Sequence, residues 1–106
     1  MRQWFYDPSK MCTKHLLGEH VEHHMFVGTI NKGTSINGYL RNNLLEPLSL
    51  QARHDEIVLE MKRRGFNHKT PLPEVDFSKL TNEQKLHKVD KERSASDLLG
   101  RCTECR

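Results

Sequence analysis

Between Lys14 and Gly28 the chain reads KHLLGEHVEHHMFVG. At about 100° per residue, Cys12, His15, Leu16, Glu19, Glu22, His23 and Phe26 fall within roughly a third of a helix circumference. Leu17, Val21, Met25 and Gly28 fall opposite them. The pattern predicts a helix whose Leu17–Val21–Met25 side enters a core. Its other side gathers His15, Glu19, Glu22 and His23, all able to handle protons or metal. An ordinary solvated face would be richer in lysine, with Glu followed by Lys four residues on. Asp7 and Pro8 suit the start of this helix and Gly28 its stop; Gly18, inside it, suggests a close backbone approach.

The remaining pattern is also helical. The aromatic segment RQWFY at residues 2–6 is expected to be tied down by its rings. Ile36 to Leu45 predicts a short helix interrupted at Gly38 and ended by Asn42-Asn43. From Glu46-Pro47 onward Leu50, Ile57, Val58 and Met61 recur at helical spacing as far as Gly65, a second long helix to pack against the first. Thr70-Pro71-Leu72-Pro73 reads as loop. Thr81-x-x-Gln84 is a capping box, with a weak helix expected to about Arg93, a break at Ser94-Ala95-Ser96, and at most one further turn from Asp97 to Gly100. No strand or repeat is evident. The expected fold is all-α, a single compact domain of two long helices plus minor ones. Residues 1–72 form its core, and residues 73–106 an extension in the same domain or partly flexible.

Composition narrows the function classes. With 106 residues, 35% apolar and 29% charged, the chain fits one modest globular domain. No apolar run approaches the roughly 20 residues of a membrane span. The stretch MRQWFYDPSK lacks the features of a signal peptide, and three cysteines are an odd count for a secreted disulfide framework. The chain is read as intracellular, monomeric and without membrane contact. A net charge of +3 permits a polyanionic partner without demanding one. Lys62, Arg63, Arg64, His68 and Lys69 form the stronger basic cluster. Its side chains suit either phosphate contact or the negative end of a helix dipole.

Two groups have metal-ligand character. His20 and His24 stand at i, i+4, a chelating spacing. The tail Cys102-Thr-Glu-Cys105 is half of a zinc site, for which Cys12-x-x-His15 could supply the other half. The bland alternative is a frayed tail with a Cys12 that packs as a small hydrophobe.

Three blocks together carry a resemblance over about the first 72 residues. They are Met1-Arg2 before an apolar stretch; His15-Leu16-Leu17-Gly18-Glu19-His20-x-Glu22; and Arg53-His54-x-Glu56 running on through Glu60-Met61-x-Arg63-Arg64-Gly65-Phe66-Asn67-His68-Lys69-Thr70-Pro71-Leu72. The chain resembles the pyrimidine dimer DNA glycosylases, the group that includes the phage endonuclease V enzymes. The resemblance implies a DNA repair glycosylase with abasic-site lyase activity on ultraviolet pyrimidine dimers in double-stranded DNA, without a cofactor. It implies that the α-amine of the terminal residue is the nucleophile and forms a Schiff base. Met1 would supply it, retained because Arg2 is bulky. Glu22 aligns with the catalytic glutamate, and Arg2 and His15 with residues near the lesion. Glu19, His23, Arg63, Arg64, His68 and Lys69 are the further candidates for substrate contact. Val21 stands where the family usually has arginine and Met25 where the phage enzyme has another, so Arg41, Arg53, Lys62, Arg63, His68 and Lys69 are expected to compensate. The contrasting reading is a non-enzymatic, zinc-stabilised nucleic-acid-binding protein with Cys12, His15, Cys102 and Cys105 as ligands.

Overall fold

A computed structural model describes all residues, 1–106. A 3-10 turn at Pro8–Lys10 precedes helix α1, Thr13–Asn31. Short helix α2, Asn37–Arg41, leads through a second 3-10 turn into α3, Leu50–Arg63. A long loop then reaches α4, Asn82–Lys85, and α5, Lys91–Arg101, before a last 3-10 turn at Thr103–Cys105. There are no strands. No helix is long and apolar enough to cross a membrane. The radius of gyration, 13.6 Å, is close to the ~13 Å of a single packed domain of about 100 residues.

The core forms where α1 packs on α3. One apolar cluster joins Trp4, Met11 and Leu16 to Ile57, Met61, Leu98 and Cys105. A second joins Phe26, Val27 and Ile30 to Ile36, Leu45, Leu50 and Leu72. Each large side chain enclosed this way stabilises the fold by about 1.5–3 kcal/mol relative to exposure.

The buried side of α1 is the reverse of the one its pattern predicts. Leu16, Glu19, His23, Phe26, Val27 and Ile30 are buried, whereas Val21 and Met25 are about half exposed. Two polar pairs make the inversion tolerable, because a buried polar group must find a partner. Glu19 meets Arg53 of α3 in a bidentate pair, Nε to Oε2 at 2.6 Å and Nη2 to Oε1 at 2.9 Å. His23 Nδ1 donates to the Glu19 carbonyl at 2.7 Å, which leaves Nε2 to accept from Gln3 Nε2 at 3.1 Å.

Helix limits also shift. Asp7 and Pro8 start only the 3-10 turn, and α1 begins after Cys12. Gly28 lies inside α1. The reversal comes at Gly33, with φ 75°, a conformation open to glycine. Gly18 makes no close backbone approach: a Cβ there would meet only Glu22 Oε2, at 3.8 Å. Gly38 lies within α2 and does not interrupt it. Gly65 ends α3 with φ 89°, as expected.

The largest difference is in the last third. The Thr81–Gln84 capping box is present, but α4 spans only one turn. Ser94-Ala95-Ser96 lies inside α5, where a break was expected. Asp90 caps that helix, its side chain accepting from the Arg93 N–H. Low helix propensity at the serines is overridden by tertiary contact. Ser94 is fully buried and donates to the Trp4 carbonyl at 2.6 Å, and Leu98 is fully buried in the core. The extension is docked further by Glu46, which accepts from Val89 N–H at 2.9 Å, and by Asn43, which accepts from Asp90 N–H at 2.7 Å and donates to Asp90 O at 3.1 Å.

Candidate active site

The chain start is held along the domain by its second, third and fourth residues. Gln3 N–H donates to Leu44 O at 2.8 Å, and Gln3 Oε1 accepts from Glu46 N–H at 2.6 Å. The Arg2 guanidinium lies 3.7 Å from the centre of the Trp4 ring, a cation–π contact. Its Nη2 donates to Ser94 Oγ at 3.1 Å, and Asp97 Oδ2 is 3.7 Å away. These restraints set the α-amine of Met1 3.5 Å from Glu22 Oε1. The Arg2 main-chain N–H donates to the same oxygen at 3.1 Å. One carboxylate oxygen is thus fixed beside the one primary amine at the chain start.

Amine and carboxylate open into a cleft of about 600 Å³. Its other walls are Arg2, Trp4, His15, Asn42, Leu44, Arg93, Asp97 and Arg101. Cationic groups outnumber carboxylates there: the amine, Arg2, Arg93 and Arg101 against Glu22 and Asp97. The Arg2 Nε is shut off from solvent with no hydrogen-bond partner, an unused donor at an anion-favouring place. Burial lowers the Arg2 pKa from its ordinary value, and Asp97 works the other way. Positive clefts of this kind raise the local concentration of phosphate-bearing ligands.

Of the residues expected in the site, Met1, Arg2, His15 and Glu22 come together. The others do not. Glu19 and His23 are fully buried and belong to the α1–α3 and α1–Gln3 contacts. Burial raises the Glu19 carboxyl against the pull of Arg53, and burial lowers His23 to about 4. Arg53, expected to reach phosphate, is buried with Glu19, and also donates to Tyr6 O at 2.9 Å and to Glu56. Arg64 ties the end of α3 to the turn before α1, donating to Met11 O at 2.6 Å and Pro8 O at 3.1 Å. Glu60 accepts from both Arg63 and Arg64, and the Arg63 bond, then Arg64, hold its pKa down to about 2. Lys62, Arg63 and Lys69 of that basic group are well exposed, and none of the three lines the cleft.

Sequence reasoning missed Trp4, Arg93, Asp97 and Arg101. The signal was present: Arg93, Asp97 and Arg101 are spaced by four, one stripe of a helix, behind an Asp90 cap. Reading a break at the serines hid it.

Two clusters have metal-ligand geometry. Cys12, His15, Cys102 and Cys105 offer ligand atoms all within 4.8 Å of one another. Cys12 Sγ is 3.1 Å from His15 Nδ1 and 3.8 Å from Cys102 Sγ, and Cys105 Sγ is 3.8 Å from His15 Nδ1. The tail is therefore packed, with Cys105 buried. Thiolates and an imidazole so placed suit a tetrahedral zinc. The second cluster is His20, His24, His54 and His68, again with ligand atoms within 4.8 Å.

No curated protein and no solved structure matches the chain. A family model described as pyrimidine dimer DNA glycosylase matches residues 1–74. That span contains α1 and α3 together with the Met1 amine and Glu22 of the cleft, and this all-helical chain belongs to the pyrimidine dimer DNA glycosylase family, a family of DNA repair enzymes.

Proposed function

We propose that the chain is a bifunctional enzyme, a glycosylase and abasic-site lyase that removes ultraviolet pyrimidine dimers from double-stranded DNA by way of a Schiff base on the Met1 α-amine. The observation that carries this reading is the placement of Glu22 Oε1 3.5 Å from that amine and 3.1 Å from the Arg2 N–H. An ordinary α-amine has a pKa of about 7.7–8.0 against about 10.4 for lysine, so a neutral fraction is present near pH 7.

In the first step the amine lone pair bonds to C1′ of the 5′ deoxyribose of the dimer. The glycosidic C1′–N bond breaks, and its electron pair leaves with the base, which takes up a proton. The transition state carries positive charge on the sugar, and the Glu22 carboxylate stabilises it. The amine then loses a proton, the C1′–O4′ bond opens with protonation of O4′, and a protonated C1′=N Schiff base results. Removal of a C2′ proton expels the 3′ phosphate by β-elimination, cutting the strand. Glu22 is the group within reach of these proton movements. Arg2, Arg93 and Arg101 suit the phosphates flanking the lesion. A damaged step is opened at least cost, which favours it over intact duplex.

The test is strand cleavage of a duplex carrying one thymine dimer. The untagged protein should cut at the dimer, and Glu22→Gln should bind the duplex without cutting. Cleavage by Glu22→Gln at the parent rate, or loss of binding and folding together in that variant, would overturn the role given to Glu22.

A second feature belongs with this reading. The Cys12–His15–Cys102–Cys105 geometry supports a structural zinc that clamps the tail to the start of α1. Four protein ligands leave no open position for chemistry. Chelation should lower the thermal midpoint of the parent by more than that of Cys102→Ser, which has already lost this site.

A further inference from the structure

The four imidazoles of the second cluster come from three places. His20 and His24 stand one turn apart on α1, His54 lies on α3, and His68 lies in the loop after α3. The ring of His20 is 5.0 Å from that of His24, 5.1 Å from that of His54 and 4.8 Å from that of His68, centre to centre. His54 is 5.1 Å from His24 and 5.3 Å from His68. All four Nε2 atoms are shut off from solvent, and none has a hydrogen-bond partner.

Such a grouping is unfavourable as it stands. A buried nitrogen without a partner is destabilising, and here four occur at one point. Opposed lone pairs repel, opposed N–H groups repel, and protonation would gather positive charge in one place. What the four atoms share is the capacity to donate electron pairs to a common centre. His54 shows the arrangement most clearly. Its Nδ1 is 3.0 Å from Asp55 Oδ1. The carboxylate accepts, which favours the tautomer with the proton on Nδ1, and in that tautomer the Nε2 lone pair faces the cluster. A carboxylate behind a ligating histidine orients the ring and raises its basicity.

We propose that His20, His24, His54 and His68 form a four-histidine site for a tetrahedral dication of the Zn²⁺ class. Zn–N bonds of about 2.0–2.1 Å set tetrahedral ligands roughly 3.4 Å apart, so ligand atoms already within 4.8 Å need only small ring movements. Neutral imidazoles suit zinc and its neighbours rather than the hard cations that take oxygen. With four protein ligands the site is structural. Its effect is to fasten the loop that carries exposed Lys69 to the α1–α3 pair. That segment otherwise has no helix or strand from Phe66 to Asp76. The site is separate from the cleft, and its test reads metal content, so it stands or falls apart from the glycosylase reading.

The experiment uses untagged protein, stripped of metal and titrated with Zn²⁺ and, in parallel, Co²⁺. The cysteine cluster reports through thiolate-to-cobalt charge transfer. The histidine cluster gives tetrahedral ligand-field bands without it. The expected result for the parent is a nitrogen-only cobalt species, whether or not a thiolate species accompanies it. His68→Gln changes a loop residue outside every helix, and it should bind one equivalent fewer and lose the nitrogen-only species. A parent showing only a thiolate species, a parent binding no metal, or a His68→Gln endpoint equal to the parent's would each overturn the proposal.

Discussion

On the side of α1 that faces α3, Glu19 is enclosed completely, and both of its oxygens are taken by Arg53. One turn later, where the helix meets the start of the chain, Glu22 is a quarter exposed. It accepts one main-chain N–H and lies beside the Met1 amine. The two side chains are chemically identical and three residues apart. Enclosure and a full set of partners make Glu19 a packing element, whereas partial solvent access and a spare oxygen leave Glu22 free to respond to a substrate. Sequence position alone assigned both to the site, and the partners separate them.

Replacing the two carboxylates should therefore have opposite signatures. Glu19→Gln leaves the Arg53 charge buried with only the more exposed Glu56 opposite it, and should destabilise the fold by about 3–5 kcal/mol, measured by urea unfolding. Changing both partners, Glu19→Met with Arg53→Met, should recover most of that loss, since an apolar pair of similar volume is often as stable as a buried ion pair. Glu22→Gln should do the reverse, lowering single-turnover dimer excision about 10²–10³-fold with a stability change within about 0.5 kcal/mol. Equal destabilisation by the two single variants would break the comparison.

Glu60 lies between these cases, buried yet partnered by the well-exposed Arg63. Its folded pKa of about 2 is below the ordinary 4.5, so the unfolded chain binds the extra proton first as pH falls. The stability it contributes is complete above pH 4.5 and is lost as pH falls through 2. Glu60→Gln should flatten the acid branch of a stability–pH curve in that window. The smallest effects belong to the exposed cleft arginines. Arg93→Ala and Arg101→Ala should each weaken duplex binding with little regard to sequence, and each should reduce the salt slope by about 1. An unchanged slope would remove α5 from the DNA-facing wall.

The parts of the molecule legible in the sequence were those that local rules determine. The α3 stripe with its Gly65 stop is one, the Thr81–Gln84 box another, and the resemblance in the first 72 residues brought Met1 and Glu22 together. What could not be read depended on distant partners. Glu19 can be buried only because Arg53 arrives from 34 residues away. His23 can be buried only because Gln3 reaches it, 20 residues back. Without those partners the Val21–Met25 side looks like the core side. The α5 wall was hidden for the same reason: Ser94 is helical because Trp4 and Arg2 take its hydroxyl. The pair His20 and His24 was visible as a chelating spacing, but His54 and His68 join it only in the folded chain.

The most direct test of the central claim is borohydride trapping on duplex DNA containing a single thymine dimer, followed by peptide mass mapping of the adduct. The account predicts a covalent sugar adduct on the Met1 α-amine, absent in Glu22→Gln and absent when residues are added ahead of Met1. An adduct on any lysine, or an undiminished yield from the extended chain, would contradict it.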